Sequence, residues 1–196
     1  MIAIVDYGAG NLNSVKKAFD YLGAEVVLTD QPETVAAASK IVLPGVGHFS
    51  SLRALEATGL RKVLIQNASA GKPFLGICLG MQWLFQGSEE CRDVAGAALF
   101  PGKCQQFPSD VKSPHVGWNS LTVQNRSRLF RGVAQDSFVY YTHSFYAPVV
   151  AETAAASEYG LWFAGAVELG NIFGVQFHPE KSGDVGLAIL KNFCEV

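Results

Sequence analysis

Three short stretches carry side chains whose types and spacing could do chemistry. The first is G-I-C-L-G-M-Q (Gly76 to Gln82), where Cys78 stands at the junction of two apolar runs with a glycine two residues away on either side. A nucleophile on a sharp strand-to-helix turn needs small neighbours, because the backbone is crowded there; this is the logic of the G-x-S-x-G elbow, here with cysteine in the serine position. A helix starting at Leu79 would favour the thiolate and aim the Leu79 N–H at an oxyanion. The competing reading is a cysteine that only packs, since free cysteine is among the most buried residue types.

The second stretch is G-V-Q-F-H-P-E-K-S (Gly174 to Ser182). Of the four histidines (His48, His115, His143 and His178), only His178 closes an apolar run and precedes an acid by two residues. In extended chain, residues i and i+2 point the same way, so Glu180 can orient the His178 ring, while Pro179 turns the chain out of the strand. Cysteine, histidine and an orienting carboxylate together make an activated thiol. Alone, H-P-E is more often a strand-ending surface turn; a cysteine at another strand's end favours the triad. The third stretch, L-P-G-V-G-H-F (Leu43 to Phe49), ends a neighbouring apolar run. Its glycines permit backbone conformations that point N–H groups inward, as an oxyanion hole requires, although an ordinary loop would also look like this.

These residues need a frame that brings strand ends together. In the first half IAIVDYG, EVVLTD, KIVLPG and PFLGIC read as strands and NLNSVKKAFDYLG, PETVAAAS and LGMQWLFQ as helices, with one or two more helices split near Gly59. Strands apolar on both faces, alternating with helices, predict a flavodoxin-like, doubly wound α/β fold with a mostly parallel sheet. Such sheets bind ligands beyond the carboxyl ends of their strands. After about Glu90, KCQQF, WNSLTV, FVYYTHSFYA, FAGAVEL and IFGVQFH read as further strands, with a hairpin turn at L-G-N-I (Leu169 to Ile172) and a closing helix from Gly183. These are expected to be additional antiparallel strands in the second half. With no repeat or linker, residues 1–196 are expected to form one domain.

The 196 residues are 49% hydrophobic and 16% charged, with a net charge of −2, which suits a globular chain and gives no basic footprint for nucleic acid or an anionic membrane. The start of the chain lacks the positive flank of a signal peptide, and the apolar run from Pro73 to Phe85 is too short to span a bilayer. Cys78, Cys91, Cys104 and Cys194 form no C-x-x-C pair, so reduced thiols in a cytoplasmic protein are expected. No His/Cys/Asp cluster has ligand spacing, and neither metal nor cofactor is expected.

Taken together, Y-G-A-G-N (Tyr7 to Asn11), P-G-V-G-H-F, G-I-C-L-G-M-Q, S-E-E (Ser88 to Glu90), P-H-V-G-W-N (Pro114 to Asn119), Y-T-H-S-F-Y (Tyr141 to Tyr146) and H-P-E-K-S resemble the class I glutamine amidotransferases. Nearly the whole chain is covered. P-H-V-G-W-N and H-P-E-K-S resemble the branch whose ammonia goes to a (βα)8-barrel cyclase that makes imidazole glycerol phosphate and an aminoimidazole carboxamide ribotide in histidine biosynthesis. The resemblance implies Cys78 as nucleophile, His178 as acid-base and Glu180 as its orienter. It implies an oxyanion hole from Leu79, Val46 and Gly47, with the P-G-V-G strand reorienting before it donates. Glutamine would be held by Gln82, Glu90 and the backbone of Ser144 and Phe145. The cyclase, as heterodimer partner, would meet Asn11, Trp118, Tyr140 and Lys181, so Trp118 and Tyr140 are expected to be accessible. V-G-W-N and H-S-F-Y stand where M-G-W-N and H-S-Y-Y are usual. The alternatives are a glutaminase serving another synthase, such as pyridoxal phosphate synthase, a stand-alone cysteine hydrolase, and a non-catalytic α/β binding protein.

Overall fold

A computed structural model describes residues 1–124 and 126–196. The first half runs β1 (Ile2–Val5), α1 (Leu12–Tyr21), β2 (Val26–Thr29), α2 (Pro32–Ala37) and β3 (Lys40–Leu43). It continues with α3 (Arg53–Ala57), α4 (Leu60–Ser69), β4 (Phe74–Ile77) and α5 (Leu79–Leu84). The second half holds β5 (Gly87–Ser88), β6 (Cys91–Ala95), β7 (Gln105–Gln106), β8 (His115–Ser120) and β9 (Thr122–Val123). There follow β10 (Phe138–His143), β11 (Phe145–Tyr146), β12 (Thr153–Glu158), β13 (Trp162–Leu169), β14 (Ile172–Val175) and α6 (Gly183–Cys194).

The main sheet has the order β2-β1-β3-β4-β14-β13-β12-β9. Neighbours from β2 through β14 run parallel, and β13, β12 and β9 add antiparallel strands at one side. The expected α/β class therefore holds. The both-face apolarity of the strands has a direct use. Ile2 and Ile4 pack into one core with Phe19 of α1 and Phe193 of α6, whereas Ala3 and Val5 pack into the other with Leu55, Leu64 and Trp83. Successive strand residues point to opposite faces, so each strand feeds two cores at once. The L-G-N-I turn closes the β13–β14 hairpin, with Leu169 opposite Ile172 and Gly170 at φ 56°.

Three features differ from the sequence reading. β12, in the alanine-rich TAAASE, pairs with both β13 and β9, although alanine favours helices. β5 and β6 form a small hairpin in a stretch with no apolar alternation. Ile172–Val175 is a shorter strand than IFGVQFH suggests. Beside the main sheet, β8 and β10 make a two-stranded antiparallel ribbon with Tyr140 opposite Trp118 and His143 opposite His115. Its inner face, with His115, Val139, Tyr141 and His143, is buried; its outer face leaves Val116, Trp118 and Phe138 exposed.

Candidate active site

Three adjacent parallel strands, β3, β4 and β14, end side by side. Immediately beyond them lie the Pro44–Phe49 stretch, Cys78 and His178. The order of the strands thus gathers residues about 130 positions apart beyond the carboxyl ends of the strands, where such sheets place their ligands.

Cys78 takes φ 54° and ψ −106°, a backbone conformation uncommon for a residue with a side chain and costing of order 1–3 kcal/mol. The flanking glycines serve a separate purpose. A Cβ on Gly76 would lie 2.5 Å from the Gly80 carbonyl oxygen, and one on Gly80 would lie 1.8 Å from that of Leu43. They let β4, the elbow and the end of β3 approach closely. The Cys78 N–H donates to the Val175 carbonyl at 2.7 Å, which ties the elbow to β14.

His178 Nδ1 meets Glu180 Oε1 at 2.8 Å, with both side chains buried. The link is not extended chain, as the i, i+2 argument supposed. Pro179–Lys181 is a 3-10 turn that carries the carboxylate under the ring. The ribbon fixes the ring's backbone: the Tyr140 carbonyl accepts from the His178 N–H at 2.9 Å. The Tyr140 N–H donates to Ser182 Oγ at 3.0 Å, and that hydroxyl donates to the His178 carbonyl at 2.7 Å. Burial disfavours the imidazolium, but the negative sulfur of a Cys78 thiolate first and the Glu180 carboxylate second outweigh it, and the His178 pKa is pushed up to about 10. Among the described residues, Nε2 has no hydrogen-bond partner.

The Leu79 N–H, expected as an oxyanion donor, is engaged: it donates to the Gly45 carbonyl at 3.4 Å, so the P-G-V-G stretch turns an acceptor toward it. Val46 is exposed and Gly47 has φ 99°. Glu90 Oε2 accepts from the Phe49 N–H at 2.7 Å, against this same strand, whereas the exposed Glu89 reaches the Gln106 N–H at 3.4 Å. The buried Tyr7 hydroxyl, also beside Gly45, has no partner, and burial pushes its pKa up. Gln82 is buried, its Nε2 donating to the Phe145 carbonyl at 2.9 Å and to Gln176 Oε1 at 3.1 Å. The Ser144 carbonyl instead accepts from the Phe107 N–H at 3.4 Å.

Trp118, Tyr140 and Lys181 share one outer surface. The two rings meet edge to face at 6.1 Å, and Lys181 Nζ stands 5.8 Å over the Tyr140 ring. Trp118 is 56% exposed and Tyr140 half-buried, so both are accessible as expected. Asn11 caps α1 by accepting from the Ser14 N–H at 3.4 Å, a structural use its motif did not suggest. Among the described residues, no group of His, Cys, Asp and Glu could hold a metal ion. Gln176, Ser182 and Tyr7 lie in quoted motifs but were given no role from sequence; a polar residue inside the apolar run G-V-Q-F was the available signal for the first.

A doubly wound sheet with a cysteine elbow and a buried His–Glu pair at neighbouring strand ends is an arrangement that suits a cysteine hydrolase or a glutaminase. The family model described as glutamine amidotransferase class-I matches residues 3–196, and the chain belongs to that family. The chain is 47% identical over 195 residues to the imidazole glycerol phosphate synthase subunit HisH of Bacillus cereus, covering 98% of this chain and 93% of the relative. The HisH subunit of Methanothermobacter thermautotrophicus is likewise 47% identical, over 100% of this chain and 98% of its own length. Among solved structures, a glutamine amidotransferase aligns with a TM-score of 0.77 at 16% identity, covering 99% of this chain and 100% of the other. PurLQS from Thermotoga maritima aligns with a TM-score of 0.76 at 18% identity, covering 99% and 97%. These last two likenesses concern the fold alone.

Proposed function

We propose that this chain is the glutaminase subunit of an imidazole glycerol phosphate synthase, one domain over residues 1–196, acting in histidine biosynthesis. The observation that carries the chemistry is Cys78 on a strained elbow, beside a buried His178–Glu180 pair at the next strand's end. The Cys78 thiolate attacks the carboxamide carbon of glutamine. His178 protonates the departing nitrogen, ammonia leaves, and a γ-glutamyl thioester remains on Cys78. Water, deprotonated by His178, then releases glutamate and the thiol. Gln82 and Glu90 hold the glutamine head group, with the Ser144–Phe145 backbone closing over it. Leu79 and the Val46–Gly47 strand supply oxyanion donors once the Gly45 carbonyl swings away. Loss of one such donor costs on the order of 100- to 1000-fold, so this carbonyl keeps the isolated chain nearly silent.

Ammonia released into water would be protonated and lost as a nucleophile, which is the chemical reason for a partner. The relatives' name supports a synthase, and the finer reading is a (βα)8-barrel cyclase as heterodimer partner. Its docking surface would be the outer face of the β8–β10 ribbon, with Trp118, Tyr140 and Lys181, joined by Asn11 at the start of α1. A cytoplasmic location is supported by four unpaired cysteines, and no helix among the described residues is long and apolar enough to cross a membrane. The test is glutamate release by the purified chain alone, then with a cyclase subunit and its nucleotide ligand, with Cys78→Ala as control. Low activity that rises strongly with the loaded partner and vanishes in the variant is expected. Full activity without a partner would overturn the gating, and activity that survives Cys78→Ala would overturn the whole reading.

A further inference from the structure

Besides His178, two polar groups meet the Cys78 sulfur, and they act on its proton in opposite directions. The Thr142 carbonyl, 3.9 Å from Sγ, can only accept and so favours the thiol. Gln176 Nε2, 3.7 Å away, donates and so favours the thiolate. A flipped Gln176 amide would turn its oxygen to the sulfur and reverse the effect. Gln176 is fully buried, so its orientation must be set by its other neighbours.

Those neighbours leave one consistent solution. Gln176 Oε1 accepts from Gln82 Nε2 at 3.1 Å, and the other hydrogen of that nitrogen goes to the Phe145 carbonyl at 2.9 Å. The same carbonyl lies 2.9 Å from His143 Nδ1, and His143 Nε2 lies 3.0 Å from His115 Nδ1. A carbonyl only accepts, so His143 carries its proton on Nδ1. Its Nε2 is then the acceptor, and His115 Nδ1 is the donor. Burial keeps both rings neutral, lowering the pKa of His115 to about 4 and that of His143 to about 3. The charges of His115 and His178 push His143 further down, against the bond to Phe145.

We propose that the Phe145 carbonyl, Gln82 and Gln176 form a buried hydrogen-bond relay to Cys78 that makes Gln176 a catalytic donor to the thiolate. The carbonyl can only accept, so it fixes the Gln82 amide, and Gln82 in turn fixes that of Gln176. Gln82 is the positioning residue within it. The proposal rests on Cys78 being the nucleophile. It also assigns Gln82 a polarity: with both hydrogens of Nε2 used, Oε1 is its free atom, suited to an N–H of the substrate. The titratable groups acting on Cys78 are His178, with Glu180 behind it, and Tyr7 from the loop after β1. The relay's own members are uncharged at neutral pH, so altering them changes hydrogen bonding to the sulfur without changing the local charge.

The test is the rate at which iodoacetamide alkylates Cys78, followed by peptide mass spectrometry across a pH range in the full chain. Gln176→Met, which keeps the volume and loses the donor, is expected to slow alkylation at pH 7 about tenfold, the equivalent of one unit in thiolate affinity for a proton. The rate should rejoin that of the parent at high pH. Gln82→Met keeps the volume and removes the donor that holds Gln176 Oε1. It should slow alkylation in the same sense by a smaller factor, with the rate again rejoining that of the parent at high pH. An unchanged rate in both variants, or slowing by the same factor at every pH, would overturn the relay. If Gln176→Met does not fold, Gln82→Met decides alone by the same two outcomes. Because alkylation needs no turnover, glutamate release by Cys78→Ala would separately overturn the nucleophile assignment.

Discussion

Gly80→Ala puts the packing of the elbow to a quantitative test. The added Cβ would sit 1.8 Å from the Leu43 carbonyl oxygen and 2.9 Å from its carbonyl carbon, backbone atoms of β3 that cannot rotate away. Ordinary contact begins at 3.4 Å, so α5 and β3 must separate by roughly 1.6 Å (3.4 minus 1.8). Alanine would gain about 1 kcal/mol over glycine in a helix. Overpacking of this kind costs about 1–3 kcal/mol, and here the obstacle is main chain at the centre of the sheet, so the upper end applies. The net expectation is destabilisation of about 1–2 kcal/mol. The functional loss is larger. The separation moves Leu79 and Cys78 away from the Pro44–Phe49 stretch, and a misplacement of about 1 Å at a reacting centre can cost on the order of 100-fold. Urea unfolding followed by circular dichroism measures the first effect, and partner-stimulated glutamate release measures the second. A variant within 0.5 kcal/mol of the parent, about the scatter of innocuous substitutions, and within threefold in rate would refute the close-packing argument.

Other expectations follow from the same geometry. His143 has a folded pKa depressed to about 3, so its stabilising contribution is complete above the ordinary 6.5 and is lost as pH falls towards 3. At pH 5 that loss is about 2 kcal/mol for His143, with His115 adding to it, and thermal melts of His143→Phe should show a flatter acid limb. His178 has the opposite sign: raised to about 10, it stabilises fully below 6.5 and ceases to as pH rises through its folded value, a limb that His178→Gln should lack. Tyr7→Phe removes a buried hydroxyl that has no partner among the described residues and should stabilise the fold by up to about 3 kcal/mol of relieved desolvation, seen as a higher melting temperature; a lower melting temperature would show that the hydroxyl is satisfied in solution. Trp118→Ala and Phe138→Ala, at 56% and 59% exposed positions, should leave chain stability within about 0.5 kcal/mol and weaken cyclase binding in titration calorimetry.

The parallel half of the fold was legible because its strands must satisfy two cores, which makes them short, apolar throughout and separated by helices. β12 was not, because its alanines carry no strand signal and only pairing with β13 and β9 makes the segment extended. Within the site, the elbow and the H-P-E turn could be read because their meaning is local: glycine spacing in one, proline followed by an acid in the other. Even there the i, i+2 argument reached the right pair through the wrong geometry, since a 3-10 turn brings Glu180 beneath the ring. The relay had no local signature. Its links join residues 63, 94 and 98 positions apart, and one of its members is a main-chain carbonyl. The Leu79–Gly45 bond is likewise a matter of which way one peptide faces, and no choice of side chain announces it.

Central to the proposed function is Cys78 as a nucleophile served by His178 and acting on glutamine. The most direct measurement is peptide mapping after treatment of the partner-bound protein with a glutamine-like chloroketone. Labelling at Cys78 alone, suppressed by excess glutamine and much slowed in His178→Asn, is the predicted result. Labelling spread over Cys91 and Cys194, or labelling of Cys78 indifferent to glutamine and to His178, would contradict it.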